Sequence, residues 1–469
     1  MKITFQGGPP KARGATVEIR FLPRDRREKL QPSVSDAEFS GKANALLHLR
    51  AEGQLLVGLG ERAGLNAQTL RSAAGAAVMF LKKIGRTQLL FNLEDWPEFA
   101  GAAVEGAVLA DYRFELFKAS KTTPIASIAI QVLPEDVNVA KRAAVVAQAA
   151  AQATNLAREV GNLPGNLLYP EVLANRAIKL AKETGLRVQV LDERQLRAGK
   201  FGGLVAVGGG SSRGPRLIVL EHRGGPKDQQ PIALVGKAIT FDTGGISIKP
   251  AANMEEMVFD KCGGMAVLGA MAGIARLKLK RNVVGVIASA ENMPGPDAYR
   301  PGDIVTTYDG KHIEIVNTDA EGRMVLADAL AYARRDLKAA ALIDLATLTG
   351  ACGVALGEAA AGLWSNDDEL RQQVLDAASK TGERLWPMPL YPEYDDAIKS
   401  SVALLKNSGG RLAGASTAAA FLKAFAEETP WAHLDIAYTA STDKDRADLA
   451  RGATGFGVRT LIQLVTDWR

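Results

Sequence analysis

The chain has 469 residues, 47% of them hydrophobic and 23% charged, with a net charge of +5 and a pI of about 9.0. That length exceeds one typical core, so two domains are expected, and the balance excludes a disordered or fibrous protein as the main state. The mild basicity permits an acidic partner such as nucleic acid but does not require one. Two cysteines, Cys262 and Cys352, give no disulfide framework and no CxxC motif, which fits a reducing, cytoplasmic compartment. The N-terminal "MKITFQGGPPKARG" lacks an apolar signal core, and no uninterrupted apolar run reads as a membrane span.

Residues 1–135 mix β-like runs ("ATVEIRFL", "GQLLVGLG", "TQLLFNL") with helical ones ("NAQTLRSAAGAAVMFLKKI", "FAGAAVEGAVLADYRFELF"). This alternation predicts a small α/β domain. The basic run "RFLPRDRREKL", Arg20–Leu30, is the one stretch there that suits DNA, although such runs are usually solvated faces. Residues 136–162 predict a connecting helix. It is rich in helix formers and stopped by "GNLPGN". Residues 163–469 carry a stronger α/β rhythm: "RVQVL", "RLIVLEH", "PIALVG", "VVGVIASA", "IEIV" and "AALIDLATL", most of them separated by helical runs. A larger α/β domain with a central mixed sheet flanked by helices follows, with ligands expected at the carboxyl ends of its strands.

Two stretches carry chemistry. In "VNTDAEGRMVLADAL", Asp319, Glu321 and Arg323 occupy alternate positions ahead of a helical run. On an extended path they share a face, where two carboxylates repel unless a cation sits between them. A solvated turn would explain this stretch alone. The second stretch, "VGKAITFDTGGISIKP", supplies Lys237, Asp242 and Lys249, and "FDKCGG" adds Asp260. A phosphate-loop reading fails, because Pro231 stands where the first glycine is needed and Ala238 follows the lysine. Four carboxylates, Asp242, Asp260, Asp319 and Glu321, suit two divalent ions in an oxygen-rich site: zinc or manganese, with magnesium or cobalt as alternatives. A lysine beside dications loses its proton easily enough to act as a ligand. The other lysine and Arg323 are candidates to stabilise an oxyanion. The four histidines, His48, His222, His312 and His433, lie outside both stretches and read as ordinary surface or core residues.

"NTDAEGR" resembles the signature of the leucine aminopeptidase (cytosol aminopeptidase) family of dinuclear metallo-exopeptidases. "VGKAITFDTGGISIKP", "FDKCGG", "ENMPGPDAYRPGDIV", "DLATLTGA" and "GATGFGVRTL" resemble its other blocks, in order, over about residues 155–469. The resemblance implies Lys237, Asp242, Asp260, Asp319 and Glu321 as metal ligands, with Asp242 and Glu321 bridging. It implies Lys249 and Arg323 as the catalytic pair, with a bicarbonate at Arg323 as general base. Met257, Thr347 and Gly350 would line the pocket for an apolar first side chain such as leucine. It further implies peptide substrates with a free N-terminus and a homohexamer. Five positions depart from the family pattern: Ala238 and Thr243 replace a usual Gly and Ser, Lys261 a Met, Leu405 an Asp, and Tyr438 a Gly. A nucleic-acid role and a two-metal phosphoesterase are the competing readings.

Overall fold

The computed structural model describes residues 1–8, 16–25, 34, 38–118 and 122–469; residues 26–30 of the basic run therefore lie outside the described residues. The chain divides into two compact units, 1–155 with 443–451, and 156–442 with 452–469. The division falls inside the long helix Val137–Gly161.

In the N-terminal unit the strands are β1 (Lys2–Gly7), β2 (Val17–Leu22), β3 (Leu46–Leu49), β4 (Gln54–Gly58), β5 (Gln88–Asn92) and β6 (Ser127–Val132). They form one sheet in the order β1-β6-β5-β2-β4-β3, parallel except for β3. Ile19, Leu55, Phe91 and Ile128 are fully buried in its core. Asn66 caps the helix Ala67–Lys83 by accepting from the Thr69 amide. The next helix ends at Asp111, earlier than the helical run through Phe117 predicts. Asp111 accepts from the Ile125 amide at 3.1 Å and pairs with Lys82 at 3.0 Å. These contacts hold its side chain, and the chain leaves the helix at Tyr112, whose backbone is extended, before a series of bends.

The second unit is built on β7 (Arg187–Leu191), β8 (Arg216–Arg223), β9 (Ile232–Asp242), β10 (Asn282–Asn292), β13 (Ala341–Ala346), β14 (Ala361–Ser365), β15 (Leu385–Pro387) and β17 (Trp431–Asp435). Three shorter strands, β11 (Ile304–Thr306), β12 (His312–Glu314) and β16 (Leu405–Lys406), form a separate small sheet. The main sheet runs β15-β14-β17-β13-β9-β10-β8-β7 and is mixed. Its inner four strands, β17, β13, β9 and β10, are mutually parallel, so Asp435, Ala346, Asp242 and Asn292 end at one edge. β9 is buried on both faces and reads as a nearly continuous apolar run, as a central parallel strand must.

The helix Cys262–Leu277 lies on this sheet at backbone contact. A Cβ on Gly263 would meet the Leu345 carbonyl oxygen at 2.1 Å, and one on Gly236 the Gly264 Cα at 2.5 Å. Together with Met254–Phe259 it makes a stretch of 24 residues, long and apolar enough to cross a membrane by composition, although no single apolar run in the sequence suggests it. Most of this stretch is buried, as a core helix is.

Replacing Gly263 by alanine should destabilise the fold by about 1–3 kcal/mol, because the methyl group has no room against the β13 backbone. Elsewhere in a helix the same change would be stabilising. Denaturant unfolding reads the sign, and a stabilised variant would contradict the backbone contact.

Candidate metal centre

Lys237 lies mid-way along β9 and Asp242 at its end. Five residues apart in a regular strand, they would face opposite sides of the sheet. The register against β10 changes between them: Ile239 faces Ala290, but Asp242 faces Asn292. β9 thus spends one extra residue, a bulge that turns Asp242 to the same side as Lys237. Asn292 then holds it, donating from Nδ2 to Asp242 Oδ1 at 2.8 Å and to the Thr318 carbonyl at 3.1 Å. The Gly244 amide donates to the same Asp242 oxygen at 2.9 Å.

Gly244 and Gly245 have φ of +85° and +67°, a left-handed path that favours glycine, and a Cβ at Gly245 would collide with Asn292 Oδ1. This turn brings Lys249 back over Asp242. Thr318 fastens it: its hydroxyl donates to the Gly244 carbonyl at 2.6 Å and accepts from the Ser247 amide at 2.7 Å. Tyr299 donates to the Thr318 carbonyl at 2.8 Å. Asn292, Thr318 and Tyr299 are not singled out by charge or spacing. Their signal was position alone, inside or beside the quoted blocks.

The extended path expected for Asp319 to Arg323 does not occur. β12 ends at Glu314, Asp319 lies in a turn, and Glu321 is already the first residue of the helix Glu321–Arg335, so Glu321 and Arg323 lie within the helical run and not ahead of it. A carboxylate in a first helical turn is favoured by the helix dipole and needs no strand alternation. The turn still brings the groups together, and carboxylate oxygens of Asp242, Asp319 and Glu321 all lie within 4.8 Å of one another.

The lysines bind this cluster from two sides. Lys237 Nζ donates to Glu321 Oε1 at 2.7 Å, Asp260 Oδ1 at 2.8 Å and the Thr347 carbonyl at 2.9 Å. Lys249 Nζ contacts Asp242 Oδ2 at 2.9 Å and also pairs with Asp319. Burial opposes both ammonium charges, but the surrounding carboxylates outweigh it and hold both lysines above their ordinary value. Burial pushes Asp260, Glu321 and Asp319 up, and neighbouring carboxylates add to the effect. Fully ionised, the four carboxylates would exceed the two ammoniums by two charges. Asp260 Oδ2 is buried without a hydrogen-bond partner among the described residues. Both features fit a site for cations, with oxygen donors suited to divalent ions.

Arg323 is buried and donates from Nη1 to the Asn407 carbonyl at 2.8 Å, while its Nε has no acceptor. Burial lowers it to about 10 despite Glu321 and Asp435. Thr347 adjoins the cluster through a second contact, its hydroxyl donating to Asp260 Oδ1 at 2.8 Å. Met257 lies in the 3-10 turn leading to Asp260, whose amide donates to the Met257 carbonyl at 3.2 Å. Gly350 opens the helix Gly350–Leu356 and is exposed. The structure therefore gathers Lys237, Asp242, Lys249, Asp260, Asp319, Glu321 and Thr347 into one contact network. Arg323 lies two residues further along the same helix, and among the described residues no hydrogen bond or ion pair joins Met257 or Gly350 to the carboxylate groups. Lys261 points into the protein: it is fully buried, donates to the Val258 carbonyl, and is lowered by burial to about 8. A separate cavity of about 660 Å³, lined by Tyr169, Arg194, Arg213 and Arg216 among others, contains none of these residues.

A lysine held above its free value of about 10.4 stabilises the fold fully below that pH and loses the contribution as pH climbs through the folded value. In metal-free protein, the stability difference between the native sequence and Lys249→Met should hold steady from about pH 8 to 10 and shrink above that. Denaturant unfolding across this range measures it, and a difference that grows above pH 10 would contradict the pairing.

Comparison with known proteins accounts for almost the whole chain. Residues 155–462 match the catalytic domain of the cytosol aminopeptidase family, and residues 8–121 match that family's N-terminal domain. A probable cytosol aminopeptidase of Roseiflexus castenholzii is 43% identical, covering 100% of this chain and 99% of the relative. Its counterpart in Syntrophotalea carbinolica is 45% identical, covering 93% and 91%. Among solved structures, the bottromycin maturation enzyme BotP in complex with Mn is 35% identical with a TM-score of 0.86, covering 96% of this chain and 99% of its own. The chain belongs to the cytosol aminopeptidase family, and it is a metal-dependent aminopeptidase, a hydrolase of the leucyl aminopeptidase type that takes peptides as substrates.

Proposed function

We propose that the enzyme uses two divalent ions to release leucine and other medium apolar residues from peptides with an unblocked N-terminus. The observation that carries this reading is the convergence of Asp242, Asp260, Asp319 and Glu321 on two lysines that do not balance them. In it, Lys237, Asp242, Asp260, Asp319 and Glu321 would hold the ions, Asp242 and Glu321 serving as ligands to both. Zinc or manganese suits this donor set best, with magnesium or cobalt as alternatives. The ions supply Lewis acidity toward the scissile carbonyl and a more acidic water for attack.

The protein's own groups divide the remaining work. Lys237 directs its three protons at Thr347, Asp260 and Glu321, so acting as a ligand requires it to release one. Lys249 is more accessible, its side chain 22% exposed against 3% for Lys237. From there it donates to the carbonyl oxygen as negative charge develops. Arg323, whose buried Nε has no acceptor among the described residues, would hold a bicarbonate, which would supply a general base. Met257, Thr347 and Gly350 border the space for the first side chain. The homohexamer and the cytoplasmic location belong to the same proposal, and the unpaired, buried Cys262 and Cys352 accord with a reducing compartment. Neither the site's geometry nor the names of the relatives given above favours a nucleic-acid role.

A leucine anilide should be cleaved by protein loaded with manganese or zinc, and its N-acetylated form should not. Chelation should abolish the activity and added metal restore it. Glu321→Ala should lose both metal and turnover. Lys249→Met should keep its metal while kcat drops by about 10²–10³, the usual cost of one oxyanion donor. Near-normal turnover by Glu321→Ala would sink the shared-ligand role.

A further inference from the structure

Two turns beside the metal centre are fastened to each other. One follows β13 and contains Thr347, which contacts both Lys237 and Asp260. The other follows β17 and contains Tyr438. The buried carboxylate of Asp435 joins them. It accepts from the Leu348 amide at 3.1 Å and the Ala437 amide at 3.2 Å through Oδ1, and from the Thr349 hydroxyl at 2.7 Å through Oδ2. Tyr438 is thereby fixed relative to the helix Gly350–Leu356. Its ring lies against that helix at Gly353, where a Cβ would come within 1.9 Å of Cδ2 and 2.1 Å of Cε2. Glycine inside a helix is unfavourable against alanine, and the ring is what forbids anything larger there.

Gly353 is three residues beyond Gly350, on the same helix face. A Cβ at Gly350 would meet nothing within 4 Å. The position over Gly350 is therefore open, and one helical turn further on the same face carries the Tyr438 ring. That residue remains 48% exposed, so part of the ring faces outward and is available to contact a ligand. An ordinary surface tyrosine needs neither a glycine beneath it nor a clamp to the catalytic turn.

We propose that Tyr438 is a specificity-determining residue, its ring forming the end wall of the space over Gly350 and confining the first side chain of the peptide to medium apolar size. The inference rests on the function proposed above. It adds a residue outside the set Met257, Thr347 and Gly350, at one of the positions where this chain departs from its family.

The test compares the metal-loaded full chain with Tyr438→Gly and Tyr438→Phe. Metal content is measured for each, and kcat/KM for the amides of alanine, leucine, phenylalanine and tryptophan. In Tyr438→Gly the tryptophan-to-leucine ratio of kcat/KM should rise about tenfold or more, the scale on which a pocket discriminates by fit. Inhibition by free L-tryptophan should strengthen relative to free L-leucine by a similar factor. Tyr438→Phe should keep the native ratio, since the ring and not the hydroxyl forms the wall. A ratio moved by less than this in a metal-replete Tyr438→Gly protein, or an equal change for all four amides, overturns the proposal. A native chain that cleaves none of the amides with its metal bound contradicts the proposed function first, and this inference falls with it.

Discussion

The ammonium of Lys237, held between Asp260 and Glu321 in the middle of a sheet, is the interaction on which the rest of the second unit depends. A lysine at the centre of a buried parallel strand is untenable without partners, and so are two buried carboxylates without a cation. Each makes the others admissible. The partners arrive from three separate places: Asp260 from the 3-10 turn before a core helix, Glu321 from the first residue of another helix, and the Thr347 carbonyl from the end of β13. Bringing them to one point requires backbones in near contact, which is why glycines at 236, 263 and 264 meet where helix and sheet touch.

Lys249 repeats the arrangement at the more open side, across Asp242 and Asp319. The cluster is thus partly neutralised by its own lysines. That sets the terms on which a cation would enter. A dication does not fill an indifferent hollow here. It competes with two ammonium groups for the same oxygens, and the lysines must retreat or lose protons as it binds. The unpartnered Asp260 oxygen and the excess of negative charge favour the ion, while the strength of the lysine pairs opposes it. In the proposed mechanism the same competition would suit Lys249 for chemistry, since a side chain displaced from Asp242 and Asp319 would remain beside the reacting groups.

Much of this is readable in the sequence, and the failures have specific causes. The apolar runs around Ile232–Asp242 and Asn282–Asn292 identify the central strands because strands covered on both faces have no room for polar alternation. The carboxylates could be found because buried charges of this density have few structural explanations. The local geometry could not. Asp319 and Glu321 meet through a turn and a helix start rather than through strand alternation, and both routes give the same spacing of two residues. Lys237 and Asp242 share a side only because of a bulge, which no residue type announces. Asn292, Thr318 and Tyr299 escaped because their work is directional hydrogen bonding, carried by residue types common in any loop. Lys261, a cation next to a proposed ligand, was the least predictable. The chain leaves its 3-10 turn there and directs the side chain away into the core, towards the Val258 carbonyl.

The central claim is that the carboxylate cluster takes divalent ions in exchange for the protons and ion pairs of its lysines. Calorimetric titration of metal-free protein with manganese, repeated in buffers of different ionisation enthalpy, tests it directly. The account predicts two ions per chain, bound with a net release of protons. Binding of no ion, or of ions with no proton released, would contradict it.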